Sequence, residues 1–70
     1  MKILKAKISK GPDDYGIWIE NFDGIFSAGE SKEDATENLK HAIELYCEFN
    51  ADAPNWLRNN EFIIQTEMAD

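Results

Sequence analysis

The sequence predicts a small α+β domain in which three strands, one long helix and a last strand follow in that order. Apolar residues alternate with polar ones over residues 2–9, 15–20 and 25–29, and they recur at helical spacing over residues 32–50. A chain of 70 residues is expected to form a single domain, residues 1–70, with a small core. One helix covers one face of such a sheet, so the other face is predicted to be solvated or covered by another chain.

The first three strands are predicted over Lys2–Ser9, Tyr15–Glu20 and Ile25–Gly29. Turn residues at 11–14 separate the first two, and residues 21–24 form a turn before the third, in which Asp23-Gly24 tolerates the positive φ angles of a hairpin turn. Alternate residues share one face on each of the first two strands: Leu4, Ala6 and Ile8, then Tyr15, Ile17 and Ile19.

The helix is predicted from about Lys32 to about Asn50. Ser31 is a suitable N-cap, and Asp34 lies three residues later, at the capping-box position. Lys40 is placed to pair with Glu44. One apolar stripe follows the helix and consists of Ala35, Leu39, Ala42, Ile43, Tyr46 and Phe49.

The helix is expected to stop before Pro54, which cannot continue it. Residues 55–57 are placed to form a short turn with an apolar anchor. The last strand is predicted over Phe62–Glu67, and its register stays open: either Phe62 and Ile64 or Ile63 faces the helix.

Three aromatic residues around the hairpin are candidate interface groups. Trp18 points away from Ile17 and Ile19, Phe22 lies at the hairpin end, and Phe26 is on the third strand. One helix is not expected to bury all three, and exposed patches of this kind often mark interfaces. The alternative is that Trp18 or Phe26 belongs to the core.

The charge is unevenly distributed. The net charge is −7, yet residues 1–10 contain Lys2, Lys5, Lys7 and Lys10 and no acid. An acidic surface repels phosphate backbones and attracts basic proteins, although it also simply keeps a small protein soluble. The lysines on alternate positions favour a solvated face or a protected sheet edge, so we expect no direct nucleic-acid binding. The acids on the outer side of the helix are candidate partner contacts: Glu37, Glu44 and Glu48.

No catalytic, cofactor-binding or metal-binding site is expected. His41 and Cys47 are the only residues of their types, which excludes an intrachain disulfide and a Cys/His metal cluster. No apolar run is long enough for a signal peptide or a membrane span, so we expect a cytoplasmic protein without membrane contact. Because its own core is small, we expect a homodimer or a higher homo-oligomer, formed through the open sheet face or an edge strand.

Residues 15–46 read YGIWIENFDGIFSAGESKEDATENLKHAIELY. This stretch resembles the HicB antitoxin family of toxin–antitoxin systems in its aromatic strand, its Asp-Gly turn, its Ala-x-Gly-type corner and its acidic helix start. The residues that fall on the family pattern are Gly24, Ala28, Gly29, Glu30, Glu33, Ala35, Leu39, Ala42 and Glu44. Residues 21–25 depart from the usual proline-containing turn.

The resemblance implies a partial RNase H-like fold and binding to a small basic RNA-cleaving toxin of the HicA type. Many family members carry a DNA-binding segment after the final strand. The sequence given ends shortly after Glu67, so we expect a short form without operator binding. An antitoxin that neutralises its toxin by protein–protein contact is the first hypothesis. The alternative is a solitary HicB-like structural or regulatory module without a toxin. Enzymatic activity is not expected, since no set of carboxylates converges.

Overall fold

The computed structural model describes residues 1–69 and has the predicted α+β fold, a four-stranded mixed sheet with one main helix packed against it. The elements are β1 (Lys2–Lys10), β2 (Tyr15–Ile19), β3 (Phe26–Gly29), α1 (Lys32–Phe49), α2 (Asn55–Arg58) and β4 (Phe62–Met68). The strand order is β3-β2-β1-β4, so β3 and β4 are the two edges. β1 is antiparallel to β2 and parallel to β4.

The predicted alternation places the apolar side chains of the strands under the helix. Leu4 and Ile17 are each 1% exposed, whereas Ile3 on the other face of β1 is 43% exposed. Each fully buried Leu or Ile contributes about 1.5–3 kcal/mol relative to an exposed one. The buried core consists of Leu4, Ala6, Ile8, Ile17, Ile19, Ile25, Ala35, Leu39, Ile43, Ala53 and Leu57.

The hairpin connection, residues 20–25, is longer than the predicted turn at residues 21–24. β2 ends at Ile19 and β3 begins at Phe26. Gly24 adopts the positive φ of 90° that its place in the sequence indicates. The Asn21 side chain accepts a hydrogen bond from the Lys5 N–H at 2.9 Å and donates one to the Ile3 carbonyl at 3.0 Å. These two bonds anchor the longer loop on β1.

α1 begins after the predicted N-cap. The Ser31 hydroxyl accepts a hydrogen bond from the Asp34 N–H at 3.1 Å. Lys40 pairs with Glu37 at 3.7 Å instead of with Glu44. Phe49, predicted in the buried stripe, is 79% exposed. Eighteen helical residues span roughly 27 Å, whereas β2 and β3 are only about 13–17 Å long, so the last turn of α1 extends past them.

Arg58 of α2 places a cation at the C-terminal end of α1, whose own last turn contains no basic residue. Its guanidinium donates to the Ala53 carbonyl at 3.1 Å and to the Asn50 carbonyl at 2.7 Å. A cation at this end complements the helix dipole. The buried Leu57 then anchors α2 on the core, as the apolar anchor in the sequence predicts.

The structure settles the register of β4. Phe62 and Ile64 pack against the core from the helix side, and Ile63 is 53% exposed on the other side. Ile3 lies opposite Ile63 in the parallel ladder. Neither α1 nor any other helix within residues 1–69 has the length and apolar character of a membrane span.

Candidate partner-binding surfaces

The sheet face turned away from α1, called the open face below, carries Trp18 and Phe26 next to each other. The two residues are cross-strand partners on β2 and β3. Trp18 is 37% exposed and Phe26 is 73% exposed, so neither belongs to the core. Two adjacent aromatic groups of this exposure form an apolar site on the open face.

Lys7 lies in the middle of the open face, between Trp18 on β2 and Glu67 on β4. Its ammonium is 2.8 Å from the Glu67 carboxylate and 3.7 Å from that of Glu20. The hydrogen bond from Lys7 lowers the pKa of the Glu67 carboxyl, and the same bond raises the pKa of Lys7. The open face thus carries an aromatic pair on β2 and β3 and an ion pair between β1 and β4, and Ile3 and Ile63 are exposed on the same face.

Phe22 lies apart from the open face, in an aromatic cluster at one end of the core. Its ring meets the rings of Tyr46 and Trp56 edge-on, with centroids 5.3 and 6.1 Å away. Trp56 in turn lies 6.5 Å from Phe62. Edge-to-face pairs of this kind add about 0.5–1.5 kcal/mol each. The structure therefore brings Trp18 and Phe26 together and separates Phe22 from them. A role for Phe22 in an interface stays a prediction.

The three acids predicted as partner contacts are all exposed on α1, where they line two separate cavities. Glu37 lies at a cavity of about 480 Å³ whose lining includes Ile8 and Thr66. Glu44 and Glu48 line the second cavity, further along α1, together with Arg58 of α2. Among the described residues, only Glu37 of these three has a cation within 4 Å, the ammonium of Lys40. Glu44 and Glu48 are available to cations of a partner.

The side chains that carry catalytic chemistry are dispersed. Within residues 1–69, no group of three or more His, Cys, Asp or Glu side chains is placed to hold a metal ion. His41 is exposed on α1, and the thiol of Cys47 is half-buried.

Two exposed groups were not identified from the sequence. Leu45 and Phe49 are 53% and 79% exposed, and their spacing of four places them on one side of α1. The exposure of Phe49 could not be predicted, because Phe49 continues the apolar stripe of α1. Leu45 lies off that stripe, and this position in the sequence indicates an exposed side chain. The bond between Lys7 and Glu67 joins residues 60 positions apart, so no local pattern reveals it.

A model of the protein family described as "HicB_like antitoxin of bacterial toxin-antitoxin system" matches residues 4–69. The match extends over nearly the whole chain and includes β4, well beyond the residues 15–46 on which the resemblance rests. Neither the curated proteins nor the solved structures that were compared include a match to this chain.

Proposed function

The chain belongs to the HicB-like antitoxin family of bacterial toxin–antitoxin systems, and we propose that it binds and neutralises a small basic toxin of the HicA type. The family match over residues 4–69 carries this proposal. Family membership supports an antitoxin role with a toxin partner. The identity of that toxin as an RNA-cleaving HicA protein, and neutralisation by direct contact in the cytoplasm without catalysis, are the further steps of the proposal.

Electrostatics supports a basic partner. A protein that cleaves RNA binds phosphates through a positively charged surface. This chain has a net charge of −7, and within residues 1–69 Glu44 and Glu48 of α1 have no cation within 4 Å. An acidic surface of this kind accelerates encounter with a basic one and competes with RNA for it. Occlusion of the RNA-binding surface follows from the same contact.

The aromatic pair on the open face is the second proposed contact. Trp18 and Phe26 are cross-strand neighbours and exposed. Large rigid aromatic groups supply much of the binding energy at protein interfaces. The open face and the acidic side of α1 are on different sides of the molecule, so we assign the aromatic pair to a separate part of the toxin or to a second toxin molecule.

Co-expression with the product of the neighbouring gene tests the proposal. The neighbour is expected to be a short basic protein that inhibits growth, to be neutralised by this chain, and to co-purify with it. A neighbour that does not inhibit growth, or a pair that does not co-purify, would contradict the antitoxin proposal and favour the solitary module.

Charge variants locate the contact. Exposed ion pairs contribute about 0.2–1 kcal/mol each, so Glu37→Gln, Glu44→Gln and Glu48→Gln together are expected to weaken toxin binding about ten-fold. The matched control removes three exposed acids elsewhere with the variants Asp13→Asn, Asp14→Asn and Asp52→Asn. An equal loss in both triple variants would show a general charge effect and exclude α1 as the contact.

A further inference from the structure

The two edges of the sheet differ in how they are protected. β3 has four residues, and its Ala28 carbonyl accepts a hydrogen bond from the Asn38 side chain of α1 at 2.7 Å. β4 has seven residues, FIIQTEM, and within residues 1–69 no strand pairs with its outer side. Natural edge strands are usually shortened or carry Lys, Pro or a bulge, because bare edges pair with other chains. β4 contains neither Lys nor Pro.

The hydrogen bonds at both ends of β4 show which backbone groups point outwards. The Lys2 N–H donates to the Glu61 carbonyl at 3.4 Å, and the Ala69 N–H donates to the Ile8 carbonyl at 2.8 Å. Residues of a strand alternate in the side to which their backbone groups point. The odd-numbered residues of β4 thus bond β1. The outward-pointing N–H and C=O groups belong to Phe62, Ile64, Thr66 and Met68.

We propose that β4 pairs antiparallel with β4 of a second copy of the chain, with Gln65 opposite the same residue of that copy. In this register Phe62 lies opposite Met68, and Ile64 lies opposite Thr66. Each of the four outward-pointing residues then lies opposite another outward-pointing residue. A register shifted by one residue in either direction would place them opposite residues whose backbone groups already bond β1. The register also places Glu67, the one charged residue of β4, opposite Ile63, so no like charges meet.

A second copy fits this edge better than the basic partner does. Glu67 is already neutralised by Lys7 at 2.8 Å, so the edge offers little attraction to a cation. In the paired sheet the two α1 helices lie on the same side, over β2 and β3 of their own chains. About six strand spacings, roughly 29 Å, separate them. This separation of the helix axes exceeds the Debye length of about 8–10 Å, so charge repulsion between the two helices is largely screened.

Cysteine cross-linking tests the register. In a Cys47→Ala background, Gln65→Cys places two thiols at a non-hydrogen-bonded pair, where Cα atoms lie about 4.5 Å apart and a disulfide can form. Mild oxidation is expected to convert most of this variant to a covalent dimer. Thr66→Cys in the same background is the control, because its side chain points to the helix side and lies opposite Ile64; little cross-linking is expected.

Sedimentation of the unmodified chain tests the dimer itself. A mass of twice 8.0 kDa is expected. Thr66→Pro removes an outward N–H that the chain does not use, so it should give a monomer with unchanged helical circular dichroism. A monomeric unmodified chain, or equal cross-linking of the Gln65→Cys and Thr66→Cys variants, would overturn the inference. Since it does not depend on the toxin, a monomer that still binds the toxin would leave the proposed function intact.

Discussion

Gly29 lies where β3 meets the first turn of α1, and the two backbones come too close for a side chain. A Cβ added at Gly29 would lie 2.7 Å from the Asp34 carbonyl carbon and would also meet the Ala35 nitrogen. Because these are backbone atoms, the helix start has to move. Gly29→Ala is therefore expected to lower the free energy of unfolding by about 1–3 kcal/mol in urea titrations.

Gly16 provides the control for this prediction. A Cβ at Gly16, on the open face of β2, would meet nothing within 4 Å. Gly16→Ala is expected to change the free energy of unfolding by no more than about 0.5 kcal/mol at the same protein concentration. Equal free energies of unfolding for the two variants would contradict the close approach of β3 and α1.

The bond between Lys7 and Glu67 predicts that the free energy of unfolding depends on pH. Because the pKa of the folded Glu67 carboxyl is lowered, the bond stabilises the fold above the ordinary carboxyl pKa of about 4.3. This contribution is lost as the pH falls through the lowered pKa. Glu67→Gln should be less stable than the unmodified chain at pH 7 and equally stable near pH 2. A stability difference that does not change with pH would contradict the ion pair.

Sequence patterns identified the residues whose roles are local. The N-cap Ser31 and the positive φ at Gly24 follow from their neighbours in the chain. The partner of Lys7 could not be found in this way, since Glu67 joins the open face only when β4 pairs with β1. The hydrogen bonds of the Asn21 side chain to β1 could not be predicted either, because they join residues 16 and 18 positions apart.

At the scale of elements, α1 stabilises the fold through one buried side. Leu39 is 0% exposed, and Leu45 on the same helix is 53% exposed. Leu39→Ala is expected to lower the free energy of unfolding by about 2–5 kcal/mol, because it leaves a cavity in the core. Leu45→Ala, with the same chemical change, should cost no more than about 0.5 kcal/mol. Similar losses in the two variants would contradict the orientation of α1.

The order and type of the predicted elements were confirmed because the apolar periods change clearly from strand to helix. Element lengths were less predictable. Phe49 continues the stripe in the sequence, yet α1 has extended past β2 and β3 at that point. Phe22 resembles an exposed hairpin residue until the long loop brings it to Tyr46 and Trp56. The register of β4 depended on its pairing with β1, which no pattern inside β4 contains.

At the scale of the whole molecule, three surfaces are separated by the fold. The acidic side of α1, the aromatic pair on the open face and the bare edge of β4 lie in different directions. Composition and family resemblance predicted an acidic binding protein, and the family match supports the antitoxin role. The positions of these surfaces required the sheet, because Trp18 and Phe26 become neighbours only through the pairing of β2 with β3.

The most direct measurement of the central claim is RNA cleavage by the purified neighbouring toxin during titration with this chain. If the chain neutralises its toxin by direct contact, cleavage falls to background once the chain is in stoichiometric amount. The α1 triple variant should then require a higher concentration for the same effect, and the control triple variant should not. Cleavage that stays unchanged at a large excess of the unmodified chain would contradict the account.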